Sequence, residues 1–184
     1  LTDATADIAM ALVLMATAIG ASTVLRPRFG PRPLVATGMA LGAVGMAYLT
    51  RLGVDASYVS DILPALLLEG LGLGLVFSTA SNNATLGVMP VDAGVASATA
   101  NASQQIGGSM GAALLSTVAA TATAEFLVNN PASADVAAQA TVHGFTTGFA
   151  WSAAIFAIGA VVALVTFRKN PATAVVSSEP VLVH

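Results

Sequence analysis

Long stretches with almost no charge recur along the chain and are separated by short polar breaks. Five stretches carry one charged residue or none, and they cover residues 8–25, 33–50, 62–91, 93–124 and 136–167. A helix needs about 20 apolar residues to cross the ~30 Å of hydrocarbon in a bilayer. Because these stretches are apolar on all sides and do not alternate, they predict transmembrane α-helices and disfavour the strands of a membrane barrel.

The breaks between these stretches set the expected helix ends. They are a basic segment rich in proline and glycine at 26–32, a polar link at 51–61, a tight turn from Met89 to Asp92 and a polar loop at 125–143. Proline and glycine end helices and favour turns. We therefore predict an all-α integral membrane protein with five spans at about 8–25, 33–50, 62–87, 91–122 and 144–167. Residues 1–170 would form the bundle, and 171–184 a flexible tail.

Composition supports this class and excludes others. Hydrophobic residues make up 56 % of the chain and charged residues 8 %, against roughly a quarter in soluble domains. The chain has no cysteine and only two histidines, so it offers no disulfide, no thiolate and no cluster of metal ligands. We find no basic patch for nucleic acid and no recognisable catalytic set. An enzyme, a cofactor and a nucleic-acid partner are therefore not expected.

The basic residues predict an orientation, because cytoplasmic loops are enriched in Lys and Arg. In an alternating count, five of the six lie on one side: Arg26, Arg28, Arg32, Arg168 and Lys169. Only Arg51 lies on the other side. We therefore expect a multi-pass protein of the cell membrane with a cytoplasmic C-terminus, and we expect the 125–143 loop outside. An external start at Leu1 suggests that further spans precede this chain in a longer protein.

Glu69 is the one acidic or basic side chain predicted to lie well inside a span. An ionised carboxylate at that depth costs several kcal/mol unless it is paired, hydrated or protonated. It is either a group that exchanges protons or attracts cations in a watery cavity, or a carboxyl that is held neutral or reaches the outer interface. On the same helix face, Asn83 is the next polar residue.

Two further sets of residues mark the predicted spans. Polar side chains on one face of the fourth span either line an aqueous path or bond to neighbouring helices; they are Ser97, Asn101, Gln104 and the adjacent Gln105. Small residues permit close helix contact, and packing is the simplest role for the glycines; they are Gly38, Gly42, Gly70, Gly72, Gly74, Gly107, Gly108 and Gly111.

Four segments together carry a family resemblance. The segment from Leu25 to Arg32, with Arg26, Arg28 and Gly30, looks like the short basic loop of the major facilitator superfamily. Leu68–Gly74 follows at the expected distance, and the runs 92–97 and 101–111 resemble the closing helices of EmrB/QacA-type drug transporters. Pro27 stands where the full loop motif has an acidic residue, and Gln104 stands where many members have arginine.

The resemblance implies the last five spans of a 14-span proton-driven antiporter, a C-terminal fragment that needs its missing N-terminal spans. Its expected function is proton-coupled export of drug-like or other small amphipathic compounds. The partners would be the bilayer, the missing spans, protons and a small-molecule substrate. Glu69, Asn83, Asn101, Gln104 and Gln105 would line the substrate or proton path. The alternative is a non-transport helical subunit that packs against a partner protein.

Overall fold

In a computed structural model, residues 16, 20, 31–85, 88–130 and 135–166 are described, and within these ranges the chain is helical with short connections and no strand. Its long helices are α1 (Pro31–Leu49), α2 (Leu63–Thr85), α3 (Ala93–Asn129) and α4 (Val136–Thr166). A single turn of π-helix, Tyr58–Ile62, leads directly into α2. The predicted first span, the basic residues before Pro31 and the C-terminal tail lie outside the described residues, apart from Ala16 and Gly20, which are both helical.

The start of α2 shows how a proline is accommodated. Pro64 has no N–H, and its ring would crowd the carbonyl of Ser60 in a regular helix. The chain widens into the π turn just before Pro64, and the Ser60 carbonyl accepts a hydrogen bond from Tyr48 Oη at 3.0 Å. Asp61 lies within this turn, where its Oδ2 accepts from the Ser57 N–H at 2.7 Å. The helix thus begins before Asp61, and Ser57 occupies its N-cap position.

The four helices are ordered α2, α1, α4, α3, with α2 and α3 in lighter contact. Glycines and other small residues set how closely neighbours approach. A Cβ on Gly38 of α1 would lie 2.7 Å from the Gly72 carbonyl oxygen of α2, and a Cβ on Gly42 would lie 3.0 Å from the Phe156 ring of α4. The contact role predicted for Gly38 and Gly42 is confirmed. Helix α1 lies between α2 and α4, so Gly38 faces α2 and Gly42 faces α4.

The prediction of a polar loop at 125–143 is wrong for most of its length. Helix α3 continues to Asn129, and α4 begins at Val136. Asp92 N–H donates to the Met89 carbonyl at 2.9 Å, so the tight turn before α3 is confirmed. Polar residues indicate where a helix leaves the lipid, but they do not show that the helix ends there. Segments rich in alanine, such as 118–124 and 137–140, still favour helix. At 1.5 Å per residue, α3 and α4 are about 55 and 46 Å long, more than the ~30 Å of hydrocarbon requires.

Three helical segments of the described chain are long and apolar enough to cross a membrane: Tyr58–Ser81, Ala93–Asn129 and Val136–Thr166. They correspond to the predicted third, fourth and fifth spans. Helix α1 has 19 residues and starts with Pro31, Arg32 and Pro33, which lower its apolar character. Its assignment as the second span remains a prediction, and so does the total of five spans.

Candidate functional site

Glu69 lies inside the bundle, on the side of α2 that faces α1. Its side chain is 6 % exposed, and its Oε1 has no hydrogen-bond partner among the described residues. Gly45 of α1 stands opposite, where an added Cβ would lie 3.4 Å from Glu69 Cγ. The missing side chain at Gly45 therefore leaves the space that the carboxyl-bearing chain occupies. The Glu69 side chain is therefore packed against α1, and its Oε1 is shielded from solvent and lipid.

Two other buried polar atoms of the same helical segment also lack partners. They are Tyr58 Oη, in the π turn, and Thr79 Oγ1, on a residue that is 1 % exposed. Tyr58 and Thr79 precede and follow Glu69 by eleven and ten residues, or about 15 Å along the axis in each direction. Sequence analysis missed both, because threonine and tyrosine are common enough in membrane helices to give no signal by themselves.

The polar face predicted on α3 is exposed within the described chain. Ser97, Asn101, Gln104 and Gln105 are all exposed, and the three amides make no hydrogen bond to any described residue. By contrast, the hydroxyls of Thr99 and Ser103 on the same helix bond to carbonyls one turn back, at 2.8 and 2.9 Å. Unpaired amides in hydrocarbon are costly. Water, a ligand or further protein is therefore needed beside this face.

The structure does not join the two parts of the predicted path. Glu69 is buried against α1, whereas the amides of α3 point away from the rest of the described chain. Asn83 lies in α2, and its side chain is outside the description. Whether Glu69 and the amides share one path stays a prediction.

The glycines predicted to pack against other helices also fall into two groups, one buried in α2 and one open on α3. Gly70 and Gly74 are buried in α2, and Gly72 makes the closest backbone approach to α1. A Cβ on Gly107, Gly108 or Gly111 would meet nothing within 4 Å. The packing predicted for these three α3 glycines therefore has no partner in the described chain and remains a prediction.

The predicted basic loop is described only at its last residue. Arg32 is half-buried in the first turn of α1, whereas Arg26, Arg28 and Gly30 lie outside the described residues. In the described ranges, no three histidine, aspartate or glutamate residues come close enough to hold a metal ion.

The chain is similar to two proteins whose names refer to antibiotic resistance and antibiotic export. The chain is 40 % identical over 153 residues to the puromycin resistance protein pur8 of Streptomyces alboniger, a match that covers 80 % of this chain and 30 % of that protein. It is 36 % identical over 113 residues to the cephamycin export protein CmcT of Amycolatopsis lactamdurans, covering 61 % of this chain and 23 % of that protein. No family model matches the chain.

The chain thus spans less than a third of the length of either relative. Together with the three apolar helices, the similarity to a resistance protein and an export protein indicates a membrane protein.

Proposed function

We propose that this chain is the C-terminal part of a secondary active transporter that exports antibiotic-like or other small amphipathic compounds across the cell membrane. The observation that carries the proposal is the similarity to pur8 over 80 % of the chain. The exposed amide face of α3 supports it, because a helix with unpaired amides requires a neighbour or an aqueous path. The motif resemblance extends the proposal to the EmrB/QacA-type branch of the major facilitator superfamily, in which the missing N-terminal spans complete the pathway.

We propose further that export is coupled to protons and that Glu69 takes part. A carboxyl buried in a spanning helix without a partner is costly, and such residues mark ion or proton pathways. A helix that served only for packing would not need a carboxyl where alanine or leucine would suffice. A protonated Glu69 side chain is neutral and tolerates apolar surroundings, whereas an ionised Glu69 side chain attracts a cation. Transport, and not catalysis, is the activity expected of these residues.

The test is Glu69→Gln in the full-length protein, since glutamine keeps the size and removes the titration. We expect export of cationic compounds to fall by about tenfold or more, with the roughly 10²–10⁴-fold contribution of a general acid–base group in enzymes as the upper range. Export of neutral compounds should fall less. Glu69→Asp should retain part of the activity. Efflux from loaded cells at several pH values gives the readout, and the amount of protein in the membrane is the control.

Parental rates and parental pH dependence for every compound would make Glu69 a structural residue. Absence of any export by the parental full-length protein, across a panel of antibiotics, would instead favour the alternative of a helical subunit that does not transport.

A further inference from the structure

The contacts between α1 and α4 fix which of their residues lie at the same level. A Cβ on Gly42 of α1 would lie 3.0 Å from the Phe156 ring of α4. Nearer the start of α1, Val35 and Ala36 are buried in one cluster with Ala163. Seven residues back along α1, from Gly42 to Val35, therefore match seven residues forward along α4, and the two helices run antiparallel in a constant register.

The same register places Arg32 beside the end of α4. Arg32 precedes Val35 by three residues, so it lies level with Thr166, the last residue of α4. Val35 and Met39 follow Arg32 by three and seven residues, which is the spacing of one helix face, and both pack in the cluster that contacts α4. The half-buried Arg32 therefore lies on the face of α1 that meets α4.

Two further basic residues follow Thr166 in the sequence. Arg168 and Lys169 come two and three residues after it. Consecutive Cα atoms are 3.8 Å apart, so the covalent chain alone keeps the Cα atoms of both residues within about 11 Å of the Thr166 Cα. Both residues lie outside the described ranges, and only this limit on their distance is used. Three positive charges thus gather at one end of the contact between α1 and α4.

No carboxylate of the described chain balances these charges. Arg32 forms no ion pair with any described residue, and the sequence has no Asp or Glu from 8 to 54 or from 136 to 178. Among the described acidic residues, only Asp92 lies at this end, in the turn between α2 and α3. Helix α2 continues about two turns past the level of Arg32 before it reaches that turn. Because like charges repel, an anion from outside the described residues is needed here.

The surroundings at this level indicate which anion is available. Helix α4 is apolar enough to cross a membrane and ends at Thr166. In its last two turns Val161, Val162 and Val165 are all more than half exposed, so they offer an apolar surface to acyl chains. Basic residues that directly follow such a surface lie at the level of the lipid headgroups, where their long side chains reach the phosphates.

We propose that Arg32, Arg168 and Lys169 bind the phosphate of an anionic phospholipid, whose acyl chains lie along the exposed valines of α4. Pro31 and Pro33 have no N–H, so the first turn of α1 offers few backbone donors and side chains must bind the phosphate. Anionic lipids give the cytoplasmic leaflet a negative surface that attracts basic residues beside the spans. In the predicted orientation this end faces that leaflet. The inference does not depend on the proposed transport activity.

The experiment measures lipid binding to the purified full-length protein by native mass spectrometry. The protein is titrated with phosphatidylglycerol or with phosphatidylcholine that has the same acyl chains. We expect phosphatidylglycerol to bind about tenfold more tightly or more, because each basic residue near an anionic lipid contributes about fivefold. Arg32→Gln should weaken its binding about fivefold, and Arg168→Gln combined with Lys169→Gln about twentyfold. Binding of phosphatidylcholine should not change.

Matched variants separate this site from a general effect of charge. Arg51→Gln removes the basic residue at the opposite end of α1 and should leave binding of both lipids unchanged. Arg32→Lys keeps the charge and should retain most of the affinity, which also shows that the fold tolerates a change at this position. A further arm adds inorganic phosphate, which should not displace the lipid at equal concentration because it has no acyl chains.

Three results would overturn the inference. The first is equal affinity for the two lipids, and the second is unchanged binding of phosphatidylglycerol in both Arg32→Gln and the combined Arg168→Gln and Lys169→Gln variant. An effect of Arg51→Gln as large as that of Arg32→Gln would likewise show attraction to charge in general and no site at the end of α4. Displacement by inorganic phosphate at equal concentration would indicate a site for a soluble anion and would contradict the assignment to lipid.

Discussion

The contact surface between α1 and α2, which we call the α1–α2 seam, and the N-terminal half of α3 both carry glycines and isolated polar residues, yet these residues have different roles in the two regions. The central residues of the seam are Gly38 and Gly45 of α1 with Ala65, Glu69 and Gly72 of α2. In the seam, glycines let two backbones touch, and Glu69 is enclosed. On α3, Gly107, Gly108 and Gly111 face open space, and the amides are exposed. Over their most apolar stretches, 39 % of the segment from Tyr58 is buried within the chain, against 6 % of α3. Both helices of the seam belong to this chain, whereas the α3 face needs a neighbour from outside the described residues.

The open face of α3 predicts that the chain does not function alone. Because the α3 face lacks its neighbour, we expect the isolated 184-residue chain to transport nothing in proteoliposomes under an imposed proton gradient. Full-length protein reconstituted in parallel supplies the positive control. Substrate flux by the isolated chain above that of protein-free liposomes would show that the exposed face is already a working surface.

The glycine contact can be tested by adding volume on each side of the comparison. Gly72→Val forces atoms into the Gly38 carbonyl, and overpacking of this kind costs about 1–3 kcal/mol. We expect a lower thermal unfolding temperature of the chain in detergent. Gly108→Val, on the open face of α3, is the matched control and should leave it nearly unchanged. Equal effects of the two substitutions would contradict the contrast between a packed seam and an open face.

The amide face should matter for transport and not for stability of this chain. Asn101→Leu removes an amide from the face, and we expect export by the full-length protein to fall several-fold while thermal unfolding of the isolated chain is unchanged. Thr99→Leu, half a helical turn away, is the control, because its hydroxyl bonds only within α3. If Asn101→Leu and Thr99→Leu reduced export alike, the face would have no special role.

The weakest effect on stability is expected at Thr79, inside α2. Thr79 Oγ1 is buried without a partner, and an unsatisfied buried hydroxyl is destabilising. Thr79→Val keeps the shape and removes that hydroxyl, so we expect the free energy of unfolding to rise by up to about 1 kcal/mol. The control is Ser152→Ala, which removes a buried hydroxyl that does bond, to the Gly148 carbonyl. A loss of stability in Thr79→Val would indicate that the hydroxyl has a partner.

The membrane class and most helix positions follow from the amino-acid sequence, because apolar stretches of this length have few other stable environments. The sequence also marks Glu69, since a single carboxylate in an apolar segment is visible without a structure. The prediction of a loop at 125–143 is wrong for most of that segment, because charge and polarity indicate whether residues lie in water or in lipid and do not show whether the backbone is helical.

Which helix faces meet becomes visible when the helices are packed in three dimensions. Gly38 and Gly42 of α1 lie against α2 and α4, whereas a Cβ on Gly107 or Gly111 of α3, which have the same spacing of four residues, would meet nothing within 4 Å in the described chain. The two motifs look alike in sequence. Their contacts differ because a helix face gains a packing role only where another helix lies against it. The direction of Glu69 was undetermined for the same reason. The space that its side chain fills depends on Gly45, which lies 24 positions earlier, and no sequence pattern pairs the two residues.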